Sequence, residues 1–397
     1  MYKIDNKQIC DMLDSDSRSF RSILDFGDFA ISGDDVGDIS IDGGSVQNEL
    51  PCIGDVVSAQ ADIVVINIPD EITLEGREFK LYLYCVSPTG LEDTTHSDLA
   101  DHTHSQLDKL THKQIAELGD LPFEPIPIGK YTVLKCRKEE DIYRLTCCDR
   151  LHFADKIYNS ELTYPTTSNK VVQEMCQKLG ADTDLTESSA GRLKESGGAY
   201  LITSDGYHLT LSSWQFDIAQ KPKNKTMRQM FSYIAAMRGK FVVVDRHGTI
   251  VQRWYLADGT RQLDLHKDGN ESGTNCRISD YQLGETTIDV RRLLCTVDDN
   301  TVLVAGNQKS RKMEFECPYM TQERLDNVAA TVGIRKYRPC EMTQQLGDPR
   351  LDPWDGWELD GEVLLMLNTN LTCDGGLMID ITSDGDTDSE SDALGNN

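Results

Sequence analysis

Histidines form the densest group of side chains that could do chemistry in this sequence. Four of the eight histidines lie close together, at His96, His102, His104 and His112. In an extended segment, His102 and His104 would lie on one side, and three chains meeting on an axis would surround a divalent metal ion with imidazole nitrogens. A second interpretation stays open: a Thr-His pair recurs every eight residues, so three of the four histidines fit exposed positions on a helix.

Motifs typical of enzymes are absent from the sequence. Gly306-Asn-Gln-Lys309-Ser310 lacks the Gly-x-x-x-x-Gly-Lys spacing of a phosphate-binding loop, so we predict a turn at the edge of a strand. The chain has no Gly-x-Gly-x-x-Gly after a strand, no His-Glu-x-x-His and no Gly-x-Ser-x-Gly. Counting from Asp384, the acidic end has Ser389 and Gly395 where a calcium loop has Gly and Glu. We therefore expect no catalytic, cofactor-binding or metal-binding residues, and no cofactor.

Cysteines and tryptophans are the remaining candidates for chemistry. The twelve cysteines include the neighbours Cys147 and Cys148 but no Cys-x-x-Cys, and most lie in apolar segments. This pattern predicts buried free thiols that act as small apolar side chains. Four tryptophans occur, and the pair in Trp354-Asp-Gly-Trp357 could stack on a sugar, although packing near a strand turn explains it equally.

Charge and hydropathy narrow the classes of protein. The 397 residues carry a net charge of −26, which opposes tight binding to nucleic acid because binding requires clustered Lys and Arg. No apolar run approaches the roughly 20 residues of a membrane-spanning helix. The first residues lack the pattern of a secretion signal. We expect a soluble chain that is made in a cytoplasm and divides into two to four domains.

Strands dominate the first part of the chain. Residues 1–20 are polar and predict an arm or a short helix, and residues 21–150 predict a first β-barrel domain. Alternating or apolar runs predict strands over residues 38–42, 56–66, 79–85, 129–136 and 142–148. Residues 93–121 interrupt them with the Thr-His repeat, which we interpret as a helical insertion anchored by Leu99, Leu107 and Ile115.

Helices appear in the middle of the chain. Residues 151–274 predict an α+β domain, with one helix that Thr167 or Ser168 caps and Gly180 ends. Thr226-Met-Arg-Gln229 is a capping box that opens a second helix, which ends at Gly239. A hairpin should follow, with its turn at residues 246–248.

Strands return in the last part of the chain. Residues 275–383 predict a second β-barrel domain with strands over 279–283, 293–297, 301–305, 337–342 and 362–367, and one helix over 321–332. Residues 384–397 are acidic without Lys or Arg and predict a disordered tail. The fold class is therefore α+β and β-rich, with two tube-like β-barrels flanking an α+β domain.

Several segments, in order along the chain, carry a resemblance to one family. They are Ile53-Gly-Asp-Val-Val-Ser-Ala-Gln-Ala-Asp-Ile-Val-Val, Ile126-Pro-Ile-Gly-Lys-Tyr-Thr-Val, Leu145-Thr-Cys-Cys-Asp-Arg-Leu, Tyr164-Pro-Thr-Thr, Cys317-Pro-Tyr-Met-Thr-Gln-Glu-Arg-Leu, Tyr337-Arg-Pro-Cys, Gly347-Asp-Pro-Arg-Leu-Asp and Leu371-Thr-Cys-Asp-Gly-Gly-Leu. Together they resemble the hub proteins of bacteriophage tail tips (baseplates), which include the tail-associated lysins or prophage endopeptidase tail proteins. The chain departs from the family at Cys148, where relatives often have Tyr. The repeat at residues 93–121 also resembles an insertion in some tail proteins.

The resemblance implies a structural role in a virion. It implies two tube-like barrels per chain and a homotrimer with pseudo-sixfold symmetry that continues the tail tube and lets the genome pass. The implied partners are the tail tube or a distal tail protein ring, tail fibre or receptor-binding proteins, and a separate lysin or tape-measure protein. The chain ends where the hub part of the family ends, so we expect a hub without a lysin domain, made in the cytoplasm of a host bacterium.

Two other functions remain as alternatives. A peptidoglycan hydrolase or endopeptidase would need a nucleophile or metal constellation, and the sequence offers none. A carbohydrate-binding adhesion module would use the tryptophans, above all Trp354 and Trp357. In the hub interpretation, carboxylates lining the channel would keep DNA from adhering.

Overall fold

A computed structural model describes most of the chain. The described residues are 2–4, 7–13, 19–43, 52–68, 71–86, 125–185, 216–255, 260–262, 278–332, 336–344, 347–352, 354–359, 362–365, 368–374 and 376–383. The predicted insertion at residues 93–121, with its anchors Leu99, Leu107 and Ile115, and the acidic tail at 384–397 lie outside this part of the chain.

The fold is β-rich, as predicted. The first strands are β1 (Ser19–Asp25), β2 (Ala30–Ser32), β3 (Val36–Asp42), β4 (Gln60–Ile66), β5 (Glu78–Val86), β6 (Ile126–Glu139), β7 (Ile142–Cys148), β8 (Thr166–Thr167), β9 (Asp182–Thr183), β10 (Asp217–Ile218), β11 (Phe241–Val244), β12 (Thr249–Arg253) and β13 (Thr260–Gln262). The others are β14 (Ile278–Leu283), β15 (Ile288–Asp298), β16 (Thr301–Gly306), β17 (Arg311–Glu316), β18 (Lys336–Tyr337), β19 (Cys340–Gln344), β20 (Gly356–Leu359), β21 (Glu362–Leu365), β22 (Asn368–Asp374) and β23 (Gly376–Ser383).

One large antiparallel sheet unites strands from the two ends of the chain. Its eleven strands have the order β14-β19-β23-β22-β3-β4-β7-β6-β5-β1-β2. The seam is the pairing of β22 with β3, in which Leu371 lies opposite Ile41. Strand β1 also contacts β3 and β23, so the sheet curls around its core. The described strands form no closed ring of backbone hydrogen bonds, so the two barrels and the domain boundaries stay predictions.

Smaller sheets form the rest of the β-structure. They are the pair β10-β8, the three-stranded sheets β11-β12-β9 and β13-β20-β21, and the sheet β16-β15-β17, in which β18 also pairs with β15. Three pairs are parallel: β12 with β9, β13 with β20, and β15 with β17. The last follows from the link between β16 and β17, which carries the chain from one side of β15 to the other.

Four α-helices are described, together with short 3-10 helices at Gly33–Asp35 and Arg150–Asp155. The α-helices are α1 (Lys7–Leu13), α2 (Ser168–Leu179), α3 (Met227–Ala236) and α4 (Gln322–Thr331). The predicted signals are confirmed: Thr167 caps α2, Gly180 ends it in a left-handed conformation, and Thr226 and Gln229 form the capping box of α3. No helix in the described residues is long and apolar enough to cross a membrane.

Two large apolar cores hold these elements. Strands β1 to β7 enclose one core with Cys373 and Leu377 from the end of the chain. Ile9 and Leu13 of α1 are also buried there, so the polar N-terminal segment is a packed short helix. Helices α2, α3 and α4 share the second core with β11, β12 and β15. A smaller cluster, with Cys340, Met342 and Ile381, lies under β19 and β23.

Some predicted strand limits are wrong. The strand predicted over residues 56–66 begins only at Gln60, because residues 54–57 hydrogen-bond to the edge of β11 instead. Strand β6 is longer than predicted, because it continues into the hairpin with β7. Strands β22 and β23 were not predicted; polar residues alternate with apolar ones along them, because one face meets the core and the other meets solvent.

Candidate functional site

An acidic surface covers the outer face of five neighbouring strands, β19, β23, β22, β3 and β4. The exposed acids on this face are Asp38, Asp42, Asp62, Glu341, Asp374 and Asp380. None of the five strands contains Lys, Arg or His. Adjacent strands lie about 4.8 Å apart, so the face is about 20 Å wide. We call this surface the acidic face.

Alternation along each strand produces the acidic face. In β3, Ile39 and Ile41 point into the core while Asp38, Ser40 and Asp42 point outward. Cross-strand pairing then places Ser40 opposite both Asp62 and Thr372. One sheet face therefore collects carboxylates from opposite ends of the chain.

Hydroxyl groups hold several of these side chains in place. Thr343 donates to Asp380 at 2.7 Å, and Thr146 on β7 donates to Asp62 at 3.0 Å. Ser40 donates to the amide oxygen of Asn370 at 3.3 Å. These bonds leave the carboxylate charge uncompensated, since a hydroxyl donor carries no charge.

A polar cleft of about 610 Å³ adjoins one end of the acidic face. It is lined by Asp42 and Gln60, by residues 54–58, by His152 and Asp155, by side chains of α3 and by Glu316. Although Ser58, Ser232, His152 and Asp155 share this cleft, the described hydrogen bonds do not link them as a catalytic triad. Ser58 instead donates to Asp149 at 2.7 Å.

Two charged side chains fix the wall of the cleft. Arg228 of α3 binds Asp155 at 2.7 Å and the carbonyl oxygens of Val56 and Leu151 at 2.9 and 2.8 Å. Asp149 is buried and accepts from the Ser58 hydroxyl and from the backbone amides of residues 59, 151 and 152. Burial raises the pKa of Asp149 to about 6, although these four donors oppose the shift.

Asp55 differs from Asp149 because it lacks donors. Its Oδ2 is shielded from solvent and has no hydrogen-bond partner among the described residues. Burial raises the pKa of Asp55 to about 7. No sequence pattern singled out Asp55, which directly precedes the strand predicted over residues 56–66.

The structure tests some of the candidate residues from the sequence. His96, His102, His104 and His112 lie outside the described residues, and so does Trp214. The described part contains no group of three or more His, Cys, Asp or Glu side chains that could hold a metal ion. Residues 306–310 form the predicted turn between β16 and β17, and Ser310 donates its amide to the Asn307 carbonyl at 3.1 Å.

The tryptophans with described side chains pack into the protein. Trp254 and Trp354 are 7% and 8% exposed, so neither offers an open ring face to a sugar. Trp357 lies on β20, and its side chain is outside the described residues. Trp354 is therefore packed inside the protein and does not offer the sugar-stacking surface that the sequence suggested.

Most cysteines are buried free thiols, as the sequence predicts. The buried set is Cys52, Cys147, Cys148, Cys176, Cys295, Cys317, Cys340 and Cys373. Burial raises the pKa of Cys148, Cys176, Cys295 and Cys317 to about 12. Because the thiolate is the nucleophile, these side chains are inert at neutral pH.

Comparisons with solved structures found phage tail proteins. The chain is similar to the 43 kDa tail protein of prophage MuSo2 from Shewanella oneidensis, with 11% identity and a TM-score of 0.43 over 92% of this chain and 97% of that one. It is similar to the tail protein from Neisseria meningitidis MC58, with 11% identity and a TM-score of 0.47 over 91% and 95%. It is also similar to prophage tail protein gp18 from Listeria monocytogenes EGD-e, with 8% identity and a TM-score of 0.42 over 94% and 97%.

Because each TM-score lies below 0.5, none of these similarities assigns a function. No protein-family model matches the chain, and no curated protein matches it.

Proposed function

We propose that this protein is the structural hub of a phage tail tip, and that its acidic face lines a channel for DNA. Three copies would form a ring with pseudo-sixfold symmetry that closes and continues the tail tube. The observation that carries the proposal is the acidic face, a broad sheet surface with six exposed carboxylates and no cation on its five strands. The order of the family-like segments along the chain supports it independently.

A channel for DNA has to avoid binding what passes through it. Affinity for duplex DNA comes mainly from phosphates that Lys and Arg neutralise, whereas carboxylates repel them. Repulsion acts over a Debye length of about 8 Å at physiological ionic strength. Because adjacent strands of the face are only about 4.8 Å apart, the fields of their acids overlap across its width of about 20 Å. The face would keep DNA centred without holding it.

The proposed partners follow from this role. The hub would contact the tail tube or a distal tail protein ring on one side and tail fibre or receptor-binding proteins on the outside. A separate lysin or tape-measure protein would supply any cell-wall cleavage, since this chain would act without enzymatic activity. The proposed location is the tip of the virion tail, after synthesis in the host bacterium.

Electron microscopy of the purified full chain tests the assembly. We expect ring-shaped particles that sort into threefold classes, with a central pore of about 20 Å or more, the width of duplex DNA. A closed twofold particle with a deep pocket and no pore would contradict the proposal. Rings that form only after addition of tail tube protein would still support it, because the hub continues that tube.

Amide substitutions test the channel. The triple variant Asp42→Asn, Asp62→Asn and Asp380→Asn removes charge from the acidic face. The new Asn side chains at positions 62 and 380 can still accept a hydrogen bond from the hydroxyls of Thr146 and Thr343. In particles carrying this variant we expect slower DNA ejection. A control triple at exposed acids outside the face, Asp299→Asn, Glu314→Gln and Glu323→Gln, should eject at the wild-type rate. Equal rates for the two triples would contradict the assignment of the face.

A further inference from the structure

A short crossing segment joins the large sheet to the sheet of β11 and β12. Residues 54–57 run parallel to β11, with Val56 opposite Val242. Three backbone hydrogen bonds hold them. The Gly54 amide donates to the carbonyl oxygen of Lys240 at 2.8 Å, the Val242 amide to the backbone carbonyl oxygen of Asp55 at 2.8 Å, and the Val57 amide to the carbonyl oxygen of Val242 at 2.9 Å. The segment lies between β3 and β4, which both belong to the large sheet, so its hydrogen bonds to β11 are a non-covalent tie between the two sheets.

Asp55 lies in the middle of this segment, and its side chain lines the polar cleft. Its Oδ2 is shielded from solvent and accepts no hydrogen bond from the described residues. The carboxylate of Asp149, by contrast, has four donors, one of which is the hydroxyl of Ser58, three positions after Asp55. A neutral carboxyl tolerates the Asp55 environment, whereas a carboxylate without donors is strongly disfavoured there.

Charged and titratable groups from several elements lie around Asp55. They are Asp42 of β3, Cys52, His152 and Asp155 of the 3-10 helix, Arg228 and Tyr233 of α3, Lys240, Tyr255 after β12, and Glu316 of β17. Arg228 binds Asp155 and two carbonyl oxygens, and Tyr233 donates to Glu316 at 2.9 Å. Burial is the main cause of the raised pKa of Tyr255, and the charge of Asp55 is the next cause. These two side chains therefore lie close together.

We propose that Asp55 is a pH-sensitive latch: its neutral carboxyl keeps residues 54–57 on β11, and its ionisation releases them so that water can solvate the charge. Burial sets the midpoint, because it raises the pKa of Asp55 from 3.8 to about 7. A group with a raised pKa in the closed state gives its full stabilisation below its open-state pKa and loses it as the pH rises through the closed-state value. The closed contact should therefore weaken between about pH 4 and pH 7.

The size of the effect follows from the shift. Three pKa units correspond to roughly a thousandfold change in the equilibrium between closed and open contact, and each unit to a factor of ten. The latch would operate within one chain, whatever that chain assembles with, so a failed ring assembly would leave it intact.

Hydrogen exchange on the full-length chain tests the latch. The amides of Gly54, Val57 and Val242 report the three bonds, and their rates are corrected for the intrinsic pH dependence of exchange. Between pH 5 and pH 8.5 we expect protection of these amides to fall by up to roughly a hundredfold. In Asp55→Asn, which is neutral at every pH, protection should stay constant, whereas Asp42→Asn in the same cleft should behave like the wild type.

Two results would overturn the latch. One is constant protection of these amides in the wild-type chain, which decides the matter even if Asp55→Asn does not fold. The other is the same fall in Asp55→Asn as in the wild type. Carbon-13 NMR of the Asp55 carboxyl adds an independent reading, since the proposal requires it to titrate near neutral pH.

Discussion

Replacing Arg246 with alanine should destabilise the protein strongly, because this one side chain connects three distant segments. Arg246 lies in the turn between β11 and β12 and is nearly buried, with 10% of its side chain exposed. Its guanidinium donates to Asp352 at 2.6 Å and to the carbonyl oxygens of Pro349 and Pro127 at 2.5 and 3.2 Å, and it also donates to Leu351. The hairpin turn is thereby tied to the start of β6 and to the loop before β20.

The magnitude follows from what the change leaves behind. Arg246→Ala removes the partner of a carboxylate that is 11% exposed and strips a donor from three carbonyl oxygens. Breaking a buried ion pair in this way costs about 3–5 kcal/mol, because the remaining buried carboxylate loses its bond to the Arg246 guanidinium. Removing the carboxylate as well, with Asp352→Asn, should recover part of the loss, giving a coupling free energy of about 1–3 kcal/mol.

Urea unfolding followed by circular dichroism measures these free energies. The matched control is Arg144→Ala, because Arg144 pairs with Glu139 at 3.5 Å but both side chains are more than half exposed. An exposed pair contributes less than about 1 kcal/mol, so the control should unfold near the wild-type urea concentration. If Arg246→Ala loses no more stability than Arg144→Ala, the inferred role of the buried guanidinium is wrong.

Three further changes have distinct expected effects on urea unfolding. Asp149→Ala should lower the free energy of unfolding by about 2–4 kcal/mol, because four donors lose their acceptor. This difference in stability between wild type and variant should shrink as the pH rises from about 4 through 6. The reason is that the folded-state pKa of Asp149 is raised to about 6, so its ionisation destabilises the folded wild-type protein. Thr226→Ala should cost about 1 kcal/mol by removing a capping box. Gly306→Ala should cost more than Gly76→Ala: both glycines have positive φ, but only at Gly306 would a Cβ collide with the Arg291 carbonyl.

Each of these changes has an outcome that would contradict it. A pH-independent gap for Asp149→Ala would show that burial does not shift this carboxyl. Wild-type helicity and stability in Thr226→Ala would mean that packing of α3 alone sets its start. Equal losses for the two glycine variants would assign the whole effect to backbone conformation and none to the collision at β15.

Local sequence signals predicted the helices and hairpins well. Capping by Thr226 and the stop at Gly180 depend on residues within one or two turns, and the structure has both. The turn at residues 246–248 was also predictable, because it joins neighbouring strands. What Arg246 does in that turn was not predictable, since its partners at residues 127 and 349–352 are about a hundred positions away.

The acidic face could not be predicted from the sequence, because it depends on which strands lie side by side. The alternation in β3 marked Asp38 and Asp42 as one side of a strand, but it could not say which strand would lie beside them. The neighbour on one side is β22, which pairs Thr372 with Ser40 across more than three hundred residues. Burying Ile39, Ile41 and Cys373 in one core forces this register, because a slip by one residue would turn the carboxylates inward. The same apolar contacts that close the core therefore concentrate the charge on the outer face.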